Sequence, residues 1–591
     1  MLGFITSFIA KALIWLINFF TSVFFFGRFS GSPVSPADHH LGVFVIIIPV
    51  LGGIIVGIMA FYGSKAIRGH GIPEAMEQIL TNDSRIHPSL TYLKPISSAI
   101  SIGTGGPFGA EGPIIATGGA LGSALGQLLR ISAAERKVLL AAGATAGMSA
   151  IFGTPVAAIF LAIELLLFEF SPRSIIPVTI ACVTGAAMHR ILFEAGPVFP
   201  MPAISSPDGT SLLFYCIIGL LLGFISAFIT RAVYFVEDSF ERLPIHWMWW
   251  PAIGGLFVGV AGYFVPHTLG VGYDNITGVL SGSIPFRAVL ILCIVKFISW
   301  SISLGSGTSG GTLAPLLTIG GATGMLLGSL LITIFPSANI SLSLAALVGM
   351  SAMFAGSSRA LLTSIIFAVE STGQSNAFLP LLGACILSYI ISFFLTENTI
   401  MTEKIARRGV RTPNSYEPDI LDKMTAGSIM NPKKEPLLIN INNTVGELKE
   451  WLKDEGDLDT DFLVAVNDNE EYCGLLKLQN VYRQDVAADH PVRELLFTPE
   501  AFISEQDSLR VAAELMAKSE RGVLPVVSNK STSLLTGIIT SGDIINAYKT
   551  GIDEHLLQDI SLRNRAVRVL LRGRKFLKKA VHTSRSDHRK E

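Results

Sequence analysis

Three short glycine-led segments of the chain have the residue types of an anion-binding site. They are Gly69-His70-Gly71-Ile72-Pro73, Gly109-Ala110-Glu111-Gly112-Pro113 and Gly311-Thr312-Leu313-Ala314-Pro315. Each opens an apolar stretch, and its proline suits the first turn of a helix. A helix that begins inside a membrane leaves its first N–H groups unpaired and directs its positive dipole end at one point. One such segment alone is better explained by a loop between two helices, but three in matching contexts predict a site that binds an anion through backbone N–H groups.

The second segment adds an ionisable side chain, Glu111. Such a residue inside a membrane is costly and is functional by default. A carboxylate here would occupy the anion's own place, and protonation would release it and open the path. The alternative is a glutamate that only satisfies the free amides of a helix N-terminus.

The elements that carry these segments are expected to be membrane helices. Half of the residues are hydrophobic and 15% are charged, whereas a soluble protein has about a quarter charged residues. Long stretches have no charged residue, and about 20 apolar residues cross a bilayer as a helix. These stretches are 13–27, 41–63, 138–163, 211–230, 318–340 and 374–396. So many stretches exclude the buried core helices of a soluble protein, and residues 4–27 are interpreted as an uncleaved helix.

The membrane region repeats itself. Residues 147–152 read GMSAIF and residues 349–354 read GMSAMF, and each is followed by an apolar helix that ends in a glutamate, Glu164 or Glu370. Glycine- and proline-interrupted segments in matching positions of two halves predict a transport site at the interface of the repeats. The repeats span about 41–195 and 248–400, after an N-terminal helix and linker at 1–40.

The three segments resemble the GxGIP, GxEGP and GxFxP elements of the CLC chloride channels and transporters, in that family's order and at its spacing. The match covers roughly 40–410. The resemblance implies an all-α polytopic membrane fold with broken helices in two inverted halves, and a homodimer in which each subunit has its own chloride pore. It also implies that Glu111 is the gating glutamate. The anion-binding positions it implies are Gly69, His70, Gly71, Ile72, Pro73, Gly109, Gly112, Pro113, Gly311, Thr312, Leu313, Ala314 and Met401.

Four positions depart from the family pattern. His70 stands where the family often has serine, and we expect it to bind the anion through its backbone N–H. Ala110 replaces the usual basic residue, which removes a positive charge near the entrance. Leu313 replaces phenylalanine and keeps its backbone N–H. Met401 falls near the position of the family's central tyrosine and has no hydroxyl to offer the ion.

Proton coupling is in question at one further position. Proton-exchanging members of the family commonly have a second, inner glutamate, and the alignment puts Leu165 there. Leucine cannot relay a proton, since a relay needs titratable groups within reach. Glu164 and Glu169 are the candidate substitutes, and some exchangers of the family lack the inner glutamate. A channel or uncoupled pathway is therefore favoured, and a proton-coupled antiporter is the alternative.

The chain beyond residue 402 is rich in charged residues and is expected to be cytosolic. Arginines directly after the last apolar segment favour a cytosolic face there. Residues 424–485 and 492–549 each resemble a CBS domain, with a linker at 411–423 and a basic tail at 550–591. The resemblance implies a tandem α/β pair that can bind ATP, ADP or AMP, with Thr540 and Asp543 at the phosphate and ribose positions. These two residues are equally well explained as a helix cap.

Other function classes find less support. The five cysteines are scattered and indicate neither disulfides nor a metal site. We find no nucleophile–base pair and no phosphate loop, so we expect no enzyme, no required cofactor and no nucleic-acid partner. The expected partners are chloride or another small anion, the lipid bilayer and a second copy of the chain. A non-conducting sensor that signals through the CBS pair is the third hypothesis, and an intact Glu111 segment argues against it.

Overall fold

The computed structural model has two compact units, Met1–Tyr416 and Glu417–Glu591. The structure describes residues 1–193, 196–410, 412, 421, 424–430, 438–455, 462–483, 486–496, 502–519, 521–528 and 534–549. Most of the predicted linker at 411–423 and all of the basic tail at 550–591 lie outside the described residues. Each unit is described by itself below.

The described part of the first unit is helical. Its α-helices are α1 Leu2–Phe26, α2 Ile47–Tyr62, α3 Ile72–Thr81, α4 Leu90–Gly103, α5 Glu111–Leu128, α6 Ala133–Phe152, α7 Pro155–Leu161, α8 Pro172–Leu192, α9 Gly209–Glu241, α10 Trp250–Phe264, α11 Tyr273–Ser281, α12 Phe286–Gly305, α13 Leu313–Ile334, α14 Leu342–Ser358, α15 Leu361–Thr372, α16 Phe378–Leu395 and α17 Glu403–Arg407. A π-helical turn, Ala162–Leu167, continues α7.

Seven helical stretches in the described residues are long and apolar enough to cross a membrane. They are Leu2–Phe26, Gly42–Tyr62, Pro172–Leu192, Gly209–Glu241, Phe286–Gly305, Leu313–Ile334 and Ser375–Leu395. The predicted polytopic helical fold is therefore confirmed. The charge-free stretch 138–163 is not one helix, however. It breaks at Gly153, whose φ of 62° ends α6, and α7 begins at Pro155.

The internal repeat predicted from sequence is visible in the packing. In the first half α5 packs on α6 and α6 on α8, and in the second half α13 packs on α14 and α14 on α16. Equivalent helices of the two halves also touch each other, α2 against α10 and α7 against α15. Contacts between equivalent elements are what an approximate twofold relation produces.

A reciprocal pair of glutamates joins the two halves at α7 and α15. Glu164 accepts hydrogen bonds from the backbone N–H of Leu362 at 2.9 Å and from the N–H and hydroxyl of Thr363 at 2.9 and 2.7 Å. Glu370 accepts from the N–H groups of Val156 and Ala157, at 3.1 and 2.9 Å. The π-helical turn after α7 and the last turn of α15 thus each carry a glutamate that caps the N-terminus of the other half's helix.

We expect Glu164→Ala to lower the free energy of unfolding by about 2–5 kcal/mol, because it leaves buried donors at the start of α15 without an acceptor. Thermal unfolding in detergent measures the loss. The control is Glu169→Ala, which removes a carboxylate that is 43% exposed and paired with Lys137 at 3.4 Å. Exposed pairs contribute about 0–1 kcal/mol. Equal losses in the two variants would contradict the capping role.

The second unit contains two copies of a three-stranded sheet. In the first copy, β1 Leu438–Asn440 pairs in parallel with β2 Phe462–Val466, which pairs antiparallel with β3 Tyr472–Lys477. The second copy repeats this order with β4 Ile503–Ser504, β5 Val523–Val527 and β6 Leu535–Thr540. Along the chain, one helix follows the first strand of each copy and precedes the second: Val445–Glu455 in the first copy and Leu509–Ser519 in the second. The predicted α/β character of this part is confirmed.

The two copies also contact each other. Glu471 of the first copy forms a β-bridge with Leu534 of the second. Side chains of the second copy, among them Val523 and Ile538, are buried in the apolar core of the first. Part of the second copy's sheet therefore packs against the core of the first, while Leu524, Val526 and Ile539 belong to a separate apolar core of the second copy.

Candidate functional site

The three glycine-led segments meet in the interior of the first unit. Gly109 and Gly311 exchange two backbone hydrogen bonds, at 3.2 Å from the Gly109 N–H and 3.0 Å from the Gly311 N–H. The N–H of Gly69 donates to the carbonyl of Thr308 at 3.1 Å, which ties the first segment to the loop before the third. The structure thus brings together residues that lie more than 200 positions apart, as the repeat predicted.

Glycine is required where these segments pass closest. Gly71 has φ 99°, and a β-carbon on it would overlap the carbonyl of Gly112. A β-carbon on Gly112 would overlap the carbonyl of His70 and lie 2.8 Å from the α-carbon of Gly311. Larger residues at these positions would separate the segments, so the glycines allow backbone atoms of all three to surround one point.

Two of the three helices that begin here have open N-termini. The N-cap residues of α5 and α13, Ala110 and Thr312, make no side-chain capping hydrogen bond. The free N–H groups and the helix dipoles favour a negative charge at this point.

The third helix, α3, differs from the prediction of an open end. The Gly71 N–H donates to the carboxylate of Glu74 at 2.6 Å, and Glu74 pairs with Lys404 at 3.0 Å. A carboxylate at the start of a helix satisfies its free amides and its dipole. The predicted contact of Gly71 with an anion therefore requires Glu74 to move.

The Glu111 carboxylate lies at the junction of the open ends. The residue is fully buried. Its Oε1 accepts a hydrogen bond from the Tyr273 hydroxyl at 3.2 Å. Its Oε2 has no hydrogen-bond partner among the described residues and lies against Gly109 and Gly311, where a β-carbon on Gly311 would come within 3.0 Å of it. The side chain thus fills the space where these two segments meet.

Tyr273 is a site residue that the sequence reasoning missed. It follows Gly270 and Gly272, which stand in the second half where Gly69 and Gly71 stand in the first. The copies of the Glu111 and GMSA segments both lie 202 residues apart, and this offset places the counterpart of Gly69 within one residue of Gly270. Applying this offset to Gly69 would have identified the Gly270 segment, which carries no proline and was therefore not recognised.

A buried lysine supports the Gly69 segment in the first half, and another supports the Gly270 segment in the second half. The ammonium group of Lys94 donates to the carbonyls of Ile67 and Gly69, at 2.8 and 2.9 Å. The ammonium group of Lys296 donates to the carbonyls of Thr268 and Gly270, at 2.9 and 3.1 Å. The two halves therefore fix equivalent loops in the same way.

A cavity of about 870 Å³ leads to the first segment and is lined by Gly69 and His70. Seven lysine or arginine side chains and four glutamates are among the described residues that line it. An excess of positive charge in a cleft raises the local anion concentration. The imidazole of His70 is 5% exposed, and its Nδ1 has no hydrogen-bond partner among the described residues.

Met401, predicted as an anion-binding position, lies in an apolar setting. Met401 is fully buried, and its N–H donates to the Thr399 hydroxyl at 3.1 Å. The nearby Tyr234 hydroxyl donates to the carbonyl of Ile400 at 2.8 Å. These hydroxyls are engaged with the local backbone, so no substitute for the tyrosine hydroxyl emerges from the described residues.

The three residues considered for proton relay lie in different settings. Leu165 is 3% exposed in the π-helical turn. The carboxylate of Glu164 is occupied as the cap of α15. Glu169 lies near the surface in its pair with Lys137. None of the three brings an unoccupied carboxylate into the interior.

Thr540 and Asp543 form a reciprocal helix cap in the second copy of the three-stranded unit. The Asp543 carboxylate accepts from the Thr540 N–H at 2.8 Å and from its hydroxyl at 2.7 Å. The Thr540 hydroxyl in turn accepts from the Asp543 N–H at 3.2 Å. The capping explanation of these residues therefore holds, whether or not they also bind a nucleotide.

Comparison with known proteins identifies the same two parts. The family model described as voltage gated chloride channel matches residues 3–393, and the CBS domain model matches 492–550. The putative chloride channel protein ClcB-like of Ralstonia nicotianae is 29% identical over 366 residues, which cover 61% of this chain and 85% of the relative. The H(+)/Cl(-) exchange transporter ClcA of Salmonella arizonae is 28% identical over 396 residues, which cover 64% and 82%.

Solved structures share the fold. A slow cyanobacterial Cl-/H+ antiporter superposes with a TM-score of 0.63 at 23% identity, over 69% of this chain and 96% of the other. A eukaryotic CLC transporter superposes with a TM-score of 0.57 at 19% identity, over 92% and 96%. At these identities the likeness supports the architecture and not the details of the site.

Proposed function

Because the chain belongs to the voltage gated chloride channel family, we propose that it conducts chloride across a membrane through a pathway gated by Glu111. In this proposal the pathway does not require proton exchange, and the CBS domain at 492–550 belongs to a cytosolic regulator. The chain is an integral membrane protein, and its CBS part lies outside the membrane region. The proposal also includes a homodimer of two copies of this chain.

The observation that carries the proposal is the position of the Glu111 carboxylate at the uncapped ends of α5 and α13. A carboxylate and a chloride ion compete for the same N–H groups and the same positive dipole ends. While Glu111 is ionised it occupies the site, and chloride must displace it. Protonation removes the charge that holds the carboxyl group, so the path opens.

The setting of Leu165 supports conduction without obligatory proton exchange. A relay through the interior needs a titratable group between Glu111 and the opposite side of the membrane. Leu165 offers none, and Glu164 is held by three hydrogen bonds as a helix cap. Moving a proton through Glu164 would break the junction of the two halves.

The second candidate function is proton-coupled chloride antiport. Two observations favour it: the relatives from Salmonella are named H(+)/Cl(-) exchange transporters, and a titratable phenol, Tyr273, is hydrogen-bonded to Glu111. In that mechanism a group other than Leu165 would deliver the proton.

Flux from reconstituted liposomes, with simultaneous recording of external pH, separates the two functions. We expect a chloride gradient to drive chloride efflux without proton movement, because no relay group replaces Leu165. Leu165→Glu tests the same point, since it should introduce proton coupling if that position lies on the relay. Uphill proton movement in the wild-type protein would establish the antiporter, and absence of any anion flux would contradict both functions.

Nucleotide binding by the CBS pair stays a prediction with its own test. We expect ATP at about 1 mM to stabilise the full-length protein by about 2.7 kcal/mol, which is the effect of a ligand at about 100 times a Kd in the micromolar range. The melting temperature of Asp543→Asn, which keeps an acceptor for the cap, should rise less on addition of ATP. Equal melting temperatures of the wild-type protein with and without ATP would contradict the prediction.

A further inference from the structure

We infer that Tyr273 is a positioning residue that holds the Glu111 carboxylate in the closed state, an inference that rests on the proposed gating function of Glu111. The tyrosine begins α11 in the second half, while Glu111 begins α5 in the first. The contact between them therefore joins the gate to the opposite repeat. Its hydroxyl donates to Oε1 of Glu111 at 3.2 Å, and Oε2 has no partner among the described residues.

The phenol ring is fixed by the rings around it. Its centroid lies 6.0 Å from that of Phe152 and 5.8 Å from that of Phe199, with interplanar angles of 68° for both. Phe152 in turn packs edge-on against Phe367 at 5.0 Å. Edge-to-face packing at these distances is favourable and gives the ring a defined orientation. The hydroxyl is consequently a donor with a set position.

The backbone before Tyr273 is held equally firmly. Lys296 binds the carbonyls of Thr268 and Gly270, and the side-chain amide of Asn275 donates to the carbonyl of His267 at 2.7 Å. Gly272 adopts φ 75° immediately before the tyrosine. A donor mounted on a loop with these restraints cannot follow the carboxyl group when it leaves, so the hydrogen bond belongs to the closed state alone.

A donor that binds only the closed state shifts the equilibrium toward closure. Hydrogen bonds to charged groups are stronger than those between neutral groups, and losing one corresponds to a change of about tenfold or more. We expect Tyr273→Phe, which keeps the ring and removes the hydroxyl, to raise chloride efflux from liposomes about tenfold. The matched control is Tyr215→Phe, which removes the hydroxyl that accepts the Ser341 N–H at 2.9 Å and leaves Glu111 untouched. Its efflux should equal that of the wild-type protein.

A double-mutant cycle with Glu111→Ala separates positioning from packing. If Tyr273 acts through the carboxylate, Tyr273→Phe changes efflux in the wild-type background and has no effect in the Glu111→Ala background. A change of the same size in both backgrounds, or no change in the wild-type background, would overturn the inference. Size-exclusion profiles of the four proteins check that each is folded.

The same cycle distinguishes failure of the positioning role of Tyr273 from failure of the gating function of Glu111. If Glu111→Ala raises efflux and Tyr273→Phe does not, the gate stands and the positioning role fails. If Glu111→Ala itself leaves efflux unchanged, the gating function fails and the positioning role fails with it.

Discussion

Replacing Glu111 by alanine should raise chloride efflux by about 10- to 100-fold, which corresponds to the strength of hydrogen bonds to a charged group. The substitution empties the place where the ends of α5 and α13 meet, so chloride no longer competes with a tethered carboxylate. Efflux through the wild-type protein should increase as the pH falls, because protonation neutralises the gate. Efflux through the variant should not depend on pH.

The control for this variant is Glu135→Ala. Glu135 lies in the first turn of α6, is exposed, and accepts a hydrogen bond from the Ser132 N–H at 3.0 Å. It represents a glutamate that only caps a helix, and its removal should leave efflux unchanged. If the two variants behaved alike, Glu111 would be no more than a helix cap. Glu111→Gln, which is neutral and of similar size, shows whether the charge or the volume closes the path.

Replacing Gly109 by alanine should open the path by a different route. A β-carbon at this position would overlap the Oε2 atom of Glu111, and the glutamate side chain is the flexible partner. The backbone of Gly109 has no positive φ, so alanine introduces no backbone strain there. We expect efflux to approach that of Glu111→Ala, although the variant keeps the carboxylate and its charge.

Gly119→Ala is the matched control within α5. A β-carbon there meets Leu140 at 3.4 Å, an ordinary contact, and efflux should remain at the wild-type level. In the background of Glu111→Ala, adding Gly109→Ala should produce no further increase, because the displaced group is absent. A folded Gly109→Ala protein without efflux would contradict displacement, since it would mean that the new methyl group blocks the ion itself.

The sequence contained strong signals for the architecture. Charge-free stretches of about 20 residues can satisfy their backbone hydrogen bonds in a bilayer only as helices, and the polytopic helical fold follows from this. The prolines at 73, 113 and 315 and the glycines beside them marked three helix starts, because the first turn of a helix is where proline fits. All three starts are present at Ile72, Glu111 and Leu313.

Breaks of the helical backbone within an apolar stretch were harder to predict from the sequence. Residues 138–163 read as one apolar stretch, since hydrophobicity does not distinguish a spanning helix from two shorter ones. The break at Gly153 needs a left-handed residue followed by Pro155, and a glycine and a proline in an apolar stretch are compatible with several backbone paths.

Partners across the fold could not be read from the sequence. Glu164 looked like a candidate proton carrier because it neighbours Leu165, yet its carboxylate caps a helix that begins 197 residues later, at Leu361. The helix start at Gly71-Ile72-Pro73 was expected to be open, yet Glu74 closes it and pairs with Lys404. A side chain's hydrogen-bond partner depends on the direction in which it points and on what packs against it, and neither is encoded in local spacing.

The sequence by itself therefore determined the residue types at the site: glycines that permit close backbone approach, prolines that start helices, and one glutamate among them. The tertiary structure decided which helix ends stay open, that Tyr273 of the opposite half reaches Glu111, and that Glu164 is committed to a cap. The physical reason is that helix formation in a membrane follows from local composition. The environment of a buried charge is instead set by residues that only the packing of the two repeats brings within hydrogen-bond distance.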